Sequence, residues 1–385
     1  MKKFLLRTAS YLMVAILASA LTVGIFRAQT VGKLEGLQDL LERYYIGELD
    51  EKTVEDAAAS AMVDALGDRW SHYQTAEEYE LYQDAMSNSY VGVGIVISVR
   101  EDGQGLDILE VTADSPAQAA GVVAGDRLVA VDGTDIAGMS TADVSTLVKG
   151  KEGTFVTLTL IRQEQELELA VERKRIKSVV ATGKLLSDGV GLITISNFDD
   201  RCAEETIAVI EDLRSQGAEA LIFDVRNNPG GYKREMVKLL DYLLPEGPLF
   251  RTVDYRGKEE VDNSDEKCLE LPMAVIVNLH SYSAAEFFAA ALIEYDAAVI
   301  VGEKTFGKGY FQNTFALDDG SAVTLSIGKY YTPNGESLAG VGLTPDVEVL
   351  LTEEEASMLA SGNLPVAEDP QIQAALKAVK PEKAP

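Results

Sequence analysis

A serine and a lysine stand where each has a route to covalent chemistry. The apolar run Val275-Ile-Val leads into Asn278-Leu-His-Ser-Tyr-Ser-Ala-Ala-Glu286, where small residues surround Ser283. Downstream, Gly302-Glu-Lys-Thr-Phe-Gly-Lys-Gly309 sets Lys308 between two glycines. A nucleophile at a strand-to-helix turn exposes its hydroxyl, and the next backbone N–H points where an oxyanion forms. Ser283 followed by Ala284 has that arrangement, and Ala285 leaves room for a peptide carbonyl. Lys308 is the candidate general base. An ordinary lysine titrates near 10.4, so work near neutral pH needs a depression of roughly 2–3 units, about 3–4 kcal/mol. Burial supplies such a shift, and Phe306, Tyr310 and Phe311 are available to line an apolar pocket. Each residue also has a bland reading: Ser281 or Ser283 as a helix cap, Lys308 as an exposed turn lysine.

Composition narrows the alternatives. Hydrophobic content of 46% and charged content of 25% are those of a globular chain long enough for two domains and an extension. The net charge of −28 repels phosphate backbones and excludes nucleic acid as a partner. Two histidines and two cysteines leave no metal site and no cofactor to expect, and Cys202 and Cys268 are too far apart for a close ligand pair. His72 and His280 are the sole imidazoles open to a Ser-His-Asp triad, and neither has a matching acidic context.

The elements that must position the pair follow in order. Residues 1–30 read as a signal anchor or signal peptide. Lys2, Lys3 and Arg7 precede the uncharged run from Thr8 to Phe26, which at about 1.5 Å per residue nearly spans a bilayer core of roughly 30 Å. Basic residues ahead of it place the remainder outside the cytoplasm, and Ala18-Ser-Ala20 leaves a cleaved signal open beside a retained anchor. Residues 31–88 are helical, with Leu34, Leu37, Leu40 and Leu41 at helical spacing and Thr53 as a cap. Leu66-Gly-Asp-Arg-Trp-Ser-His-Tyr73 interrupts them, and Trp70 and His72 there read as a packing knot.

Residues 89–175 change to strands and short helices. From 176 to 350 strands alternate with helices, which predicts a partly parallel sheet whose site lies past the carboxyl ends of its strands. Asn227-Asn-Pro-Gly-Gly231, Ser283 and Lys308 all fall just past predicted strand ends. The tail, 351–385, is acidic, then proline-containing, with a docked helix over 370–379.

Two resemblances add to these readings. The 89–175 region resembles a PDZ domain of the circularly permuted bacterial type, through Gly92-Val-Gly-Ile95 and the Ser115-Pro-Ala and Gly125-Asp-Arg-Leu segments. This implies a carboxylate-binding loop at Val93, Gly94 and Ile95 and an open strand edge for a peptide. Asp224-Val-Arg-Asn-Asn-Pro-Gly-Gly231, Ser281-Tyr-Ser-Ala-Ala-Glu286 and Gly302–Gly309 resemble, in order, the signatures of the carboxyl-terminal processing (tail-specific) proteases. That resemblance implies a ClpP/crotonase-like core of mixed sheet and helices, joined to a mainly β PDZ domain and N-terminal helices. It implies Ser283 as nucleophile, Lys308 as base and Gln312 as the group orienting the lysine. The oxyanion donors are then the N–H of Ala284 and of a glycine in Gly230-Gly231. The resemblance further implies protein substrates with free, apolar C-termini, and makes the terminal regions candidates for homodimer contacts. Tyr282 and Ala285 depart from the usual Ser-Ala-Ser-Ala-Ser-Glu. The rival reading is a PDZ scaffold that binds peptides without cutting them. A phosphate loop at Gly302–Lys308 fails because Gly309 stands where a Mg²⁺-holding hydroxyl is needed.

Overall fold

Four apolar runs lie side by side in one sheet in the computed structural model, which describes residues 32–100, 102–186 and 189–379. The strand order is Ala181–Leu185, Val190–Ile195, Ala220–Asp224, Met273–Val277, Ala298–Gly302 and Val347–Glu348. The first pair is antiparallel and the others are parallel. The central strands are apolar along nearly their whole length because both faces are covered. Leu221, Phe223, Val275 and Val277 pack against the helices Cys202–Ser215, Lys233–Leu243 and Ala284–Glu294. Ile222, Ala274, Ile276 and Val301 pack on Ile372, Ala375 and Val379 of the helix Pro370–Val379. The expected mixed sheet with helices and a docked tail helix is therefore present.

An antiparallel sheet that sequence reading assembled only in part stands beside this core. Ala322–Tyr331 pairs with Tyr310–Ala316, with His72–Gln74 and with Gly247–Asp254, which in turn pairs with Glu259–Ser264. The hairpin at 247–264 carries polar residues on both faces and gave no strand signal. Residues 72–74 were expected only as a break between helices; they form a strand that reaches back to 322–324.

The strands Ile95–Val99, Leu106–Val111, Arg127–Val131, Phe155–Arg162 and Gln165–Glu172 form a further sheet in that order around Leu106, Ile108, Leu128, Leu158 and Leu160. Its hairpin turns at Gln163 and Glu164, both with positive φ, the requirement of a tight two-residue turn. The ribbon Ser89–Gly92 with Lys174–Lys177 closes the base of this region. Residues 32–67 form a separate unit with helices Lys33–Tyr44 and Glu51–Asp64. Asp50, not Thr53, caps the second helix, accepting from the Thr53 N–H at 3.3 Å. The expected anchor or signal at 1–30 lies outside the described residues. Among the described residues, no helix is long and apolar enough to cross a membrane.

A buried charge network locks the tail helix under the sheet. Arg226, its side chain 2% exposed, donates to both carboxylate oxygens of Asp224 at 2.9 and 2.6 Å. It also pairs with Asp369 at 2.8 Å and donates to Gln371 Oε1 at 2.9 Å. Asp369 further accepts from the N–H groups of Gln371 and Ile372, starting the helix. Arg226→Met leaves two carboxylates buried without their cation. We expect a loss of about 3–5 kcal/mol, read as a lower urea midpoint; an unchanged midpoint would show that the carboxylates do not depend on the arginine.

Candidate active site

Ser283 sits at the turn from Met273–Val277 into Ala284–Glu294, with φ 58° and ψ −126°. That conformation is strained for a residue with a Cβ and persists only where its surroundings hold it. They do so through two loops. Tyr282 N–H donates to the Asn228 carbonyl at 3.2 Å, and Asn227 and Asn278 exchange bonds at 3.0 and 2.9 Å. Ser281, read as a possible cap, is fully buried and ties two strand ends: its Oγ donates to the Val225 carbonyl at 2.7 Å and accepts from Asn278 N–H at 3.0 Å.

The turn 227–231 packs directly on the serine. A Cβ on Gly230, which has φ +90°, would lie 2.7 Å from Ser283 Cβ and 2.9 Å from Ala284 N. Both candidate oxyanion glycines line the cleft with Ser283, yet they are not equivalent: Gly230 packs on the serine, and Gly231 packs on Phe198 and Asp199. Gly230 N–H is already donated to Asn228 Oδ1 at 2.9 Å. Among the described residues, neither Gly231 N–H nor Ala284 N–H has such a partner. Asp199 Oδ1 is buried without a partner beside Gly231. Burial, reinforced by the charge of Asp200, pushes the Asp199 carboxyl up to about 7, which lessens negative charge near these donors.

Glu286 joins the two halves of the site, a role that sequence reading did not assign. Its carboxylate is fully buried and accepts from Ser283 N–H at 3.0 Å, Thr305 Oγ1 at 2.6 Å, Gly307 N–H at 2.6 Å and Lys308 N–H at 2.9 Å. Burial pushes its carboxyl above the ordinary range, with the four donors offsetting part of the shift.

Ser283, Lys308 and Gln312 line one cleft of about 880 Å³, with Trp70, Tyr82 and Tyr330 among its walls. Burial draws the Lys308 ammonium down from 10.5 to about 8, while Glu286 and Asp68 pull the other way. Of the three aromatics expected around the lysine, Phe306 packs on Trp70, Tyr310 is 41% exposed and Phe311 stacks on Tyr330, and the unexpected Trp70 places its ring centroid 4.4 Å from Lys308 Nζ. Gln312 donates to the Tyr310 carbonyl at 3.1 Å and to Ser326 Oγ at 3.0 Å. Among the described residues, no hydrogen bond joins it, or Ser283 Oγ, to the Lys308 ammonium. Tyr330 meets the Ser283 side chain, and burial pushes its phenol up to about 12. No group of histidine, cysteine and acidic side chains fit for a metal occurs among the described residues.

At the sheet of 95–172, Gly94 has φ +84°, and its Cα faces Ser115 so closely that a Cβ would lie 2.4 Å from the serine Cβ. Val93 is buried, and its carbonyl accepts from Ala117 N–H at 2.9 Å. Ile95 begins a strand at the edge of its sheet, separated by the Val93–Gly94 loop from the strand Ser89–Gly92.

A cleft with a strained serine at a helix N-terminus and a half-buried lysine, in a chain that also carries a six-stranded sheet with a glycine turn at its edge strand, points to a serine peptidase with a PDZ domain. Profiles agree: residues 189–349 match Peptidase family S41 and residues 108–162 match the PDZ domain. The chain belongs to peptidase family S41, and it is a serine protease of the carboxy-terminal processing type. It is 30% identical over 358 residues to the carboxy-terminal processing protease CtpA of Bacillus subtilis, covering 89% of this chain and 76% of that one. A Staphylococcus epidermidis protein named "Probable CtpA-like serine protease" is 32% identical over 323 residues, covering 82% and 65%. Among solved structures, the photosystem II D1 C-terminal processing protease superposes with TM-score 0.50 at 27% identity, covering 90% and 93%.

Glu286→Gln puts an amide N–H₂ against backbone donors. It should cost about 1–3 kcal/mol for each donor left unpaired and lower kcat by roughly tenfold or more. Urea midpoints and single-turnover rates read both, and wild-type values in the variant would remove Glu286 from the positioning of the site.

Proposed function

We propose that the protein cuts polypeptides with a Ser283–Lys308 dyad through an acyl-enzyme, after engaging their free C-termini with its PDZ domain. The observation that carries this reading is Lys308, drawn to about 8 in the cleft that Ser283 also lines. At that value a useful fraction of the lysine is neutral near physiological pH. Neutral Lys308 takes the proton from Ser283 Oγ as the oxygen attacks the scissile carbonyl. The tetrahedral oxyanion accepts from Ala284 N–H and Gly231 N–H, with Gly230 serving to bring the turn close. The lysine then passes its proton to the leaving amine, and water releases the acyl group by the reverse route. Gln312 orients the lysine in this scheme, which requires its amide to turn from Ser326.

Recognition of the C-terminus rests on Val93, Gly94 and Ile95. Convergent N–H groups at a glycine turn suit a carboxylate, and the Ile95–Val99 edge offers an extended peptide a strand to pair with. Half-buried Ile95, Ile97 and Leu147 favour apolar terminal side chains. Lys2, Lys3 and Arg7 ahead of an apolar run support a catalytic part outside the cytoplasm, held at the cell membrane or released after cleavage. Exposed Leu34, Leu37 and Leu40 supply a surface for pairing with a second copy.

On an unfolded substrate with an apolar C-terminus, Ser283→Ala and Lys308→Ala should each abolish cleavage. The wild-type kcat/KM should rise as pH climbs through about 8, because the neutral lysine is the active form. Full activity of Lys308→Ala would overturn the dyad. Amidating the substrate's C-terminus should slow cleavage by about tenfold or more, the worth of one charge-assisted hydrogen bond. Equal rates for free and amidated substrates would remove carboxylate recognition.

A further inference from the structure

Trp70 is the chain's one tryptophan, and both segments that carry the dyad grip it. Phe306, two residues before Lys308, meets it edge-on at 5.8 Å; Tyr282, beside Ser283, lies at 6.4 Å. The Arg69 guanidinium lies 4.8 Å from the ring centroid and Lys308 Nζ lies 4.4 Å from it. Among the described residues, the Lys308 ammonium has this ring as its near partner in place of a hydrogen bond to Ser283 Oγ.

We propose that Trp70 is a positioning residue for Lys308, whose indole face holds the lysine while it is protonated and releases it to Ser283 once it is neutral. The inference rests on the Ser-Lys reading above. An aromatic face attracts a cation through its quadrupole and has no comparable attraction for a neutral amine. The neutral amine is the form that accepts the Ser283 proton. Loss of the proton therefore removes the hold on the ring at the moment the amine becomes competent. The other charged groups facing Lys308 act differently. Glu286 and Asp68 favour its ammonium whichever way the side chain points, and Arg69 is a second cation on the same ring. Tyr330, on the cleft wall, stays neutral through the working range.

The single tryptophan makes the test specific. Growth on trifluorinated tryptophan alters only the ring at position 70, drawing electron density from its face while nearly keeping its shape. Weaker stabilisation of the ammonium lowers the lysine pKa, so the acid limb of kcat/KM should move down by about half a pH unit, with the high-pH plateau retained. In the full-length Ser283→Ala chain, tryptophan fluorescence should titrate with a midpoint near 8. That titration should vanish when Lys308→Met is added. An acid limb unmoved by fluorination, or a titration that persists with Lys308→Met, overturns the proposal. If Lys308→Ala keeps activity, the Ser-Lys reading itself falls; if Lys308 is required and the limb stays in place, Trp70 alone loses its role.

Discussion

One buried carboxylate sets the geometry on which the site depends. Glu286 is surrounded by donors from two separate stretches of chain: Ser283 on one side, and Thr305, Gly307 and Lys308 on the other. A carboxylate in a dry interior is costly, and each charge-assisted bond it accepts recovers part of that cost. The arrangement is stable only with all its donors in place, so the serine turn and the lysine loop are fixed together or not at all. Thr305 Oγ1 extends the tie by accepting from Leu343 N–H at 2.7 Å. Gly307 packs within 2.8 Å of Gly342 N, measured from an added Cβ, so no larger residue fits where the loop passes under the 338–343 turn.

The second sheet brings the far wall. His72–Gln74 joins Ala322–Tyr331, and this pairing carries Arg69, Trp70 and His72 into the cleft from a distant part of the chain. Ser71 Oγ donates to Asp68 at 2.6 Å and accepts from Ser326 N–H at 3.0 Å, while Gln312 donates to Ser326 Oγ. Asp68, Trp70 and Gln312 are thus set by one strand register. A slip of one residue in that pairing would turn His72 and Gln74 to the other face of the sheet and displace the turn that carries Asp68 and Trp70.

Much of this was legible in the sequence, and the failures share a cause. Ser283, Lys308 and the 227–231 turn stand past apolar strand ends, and strand ends are readable from local pattern. The docked helix expected over 370–379 is present as Pro370–Val379. Trp70 was read as packing because its partner lies hundreds of residues away, and nothing local to Asp68-Arg-Trp-Ser-His distinguishes a wall of the cleft from a helix break. The 247–264 hairpin was passed over because Glu259–Ser264 is polar on nearly every residue; it is a strand through pairing, not through burial. Gly230 and Gly231 looked interchangeable as donors until Asn228 was seen to occupy one of them.

The lysine's own balance follows from these long-range placements. Burial disfavours its ammonium, and Glu286 and Asp68 favour it. The carboxylate that fixes the backbone therefore also works against the depression that the proposed dyad needs. A site built from burial alone would draw the lysine lower and leave a weak proton acceptor. A site with a closer carboxylate would keep it charged. Glu286 avoids the second outcome because its oxygens are taken by N–H and O–H donors, which spend its charge on the backbone instead of on the ammonium. The indole completes the arrangement by covering the lysine with apolar surface that still attracts its charged form. Position and proton affinity are thus set by the same few contacts, and a change in any of them moves both.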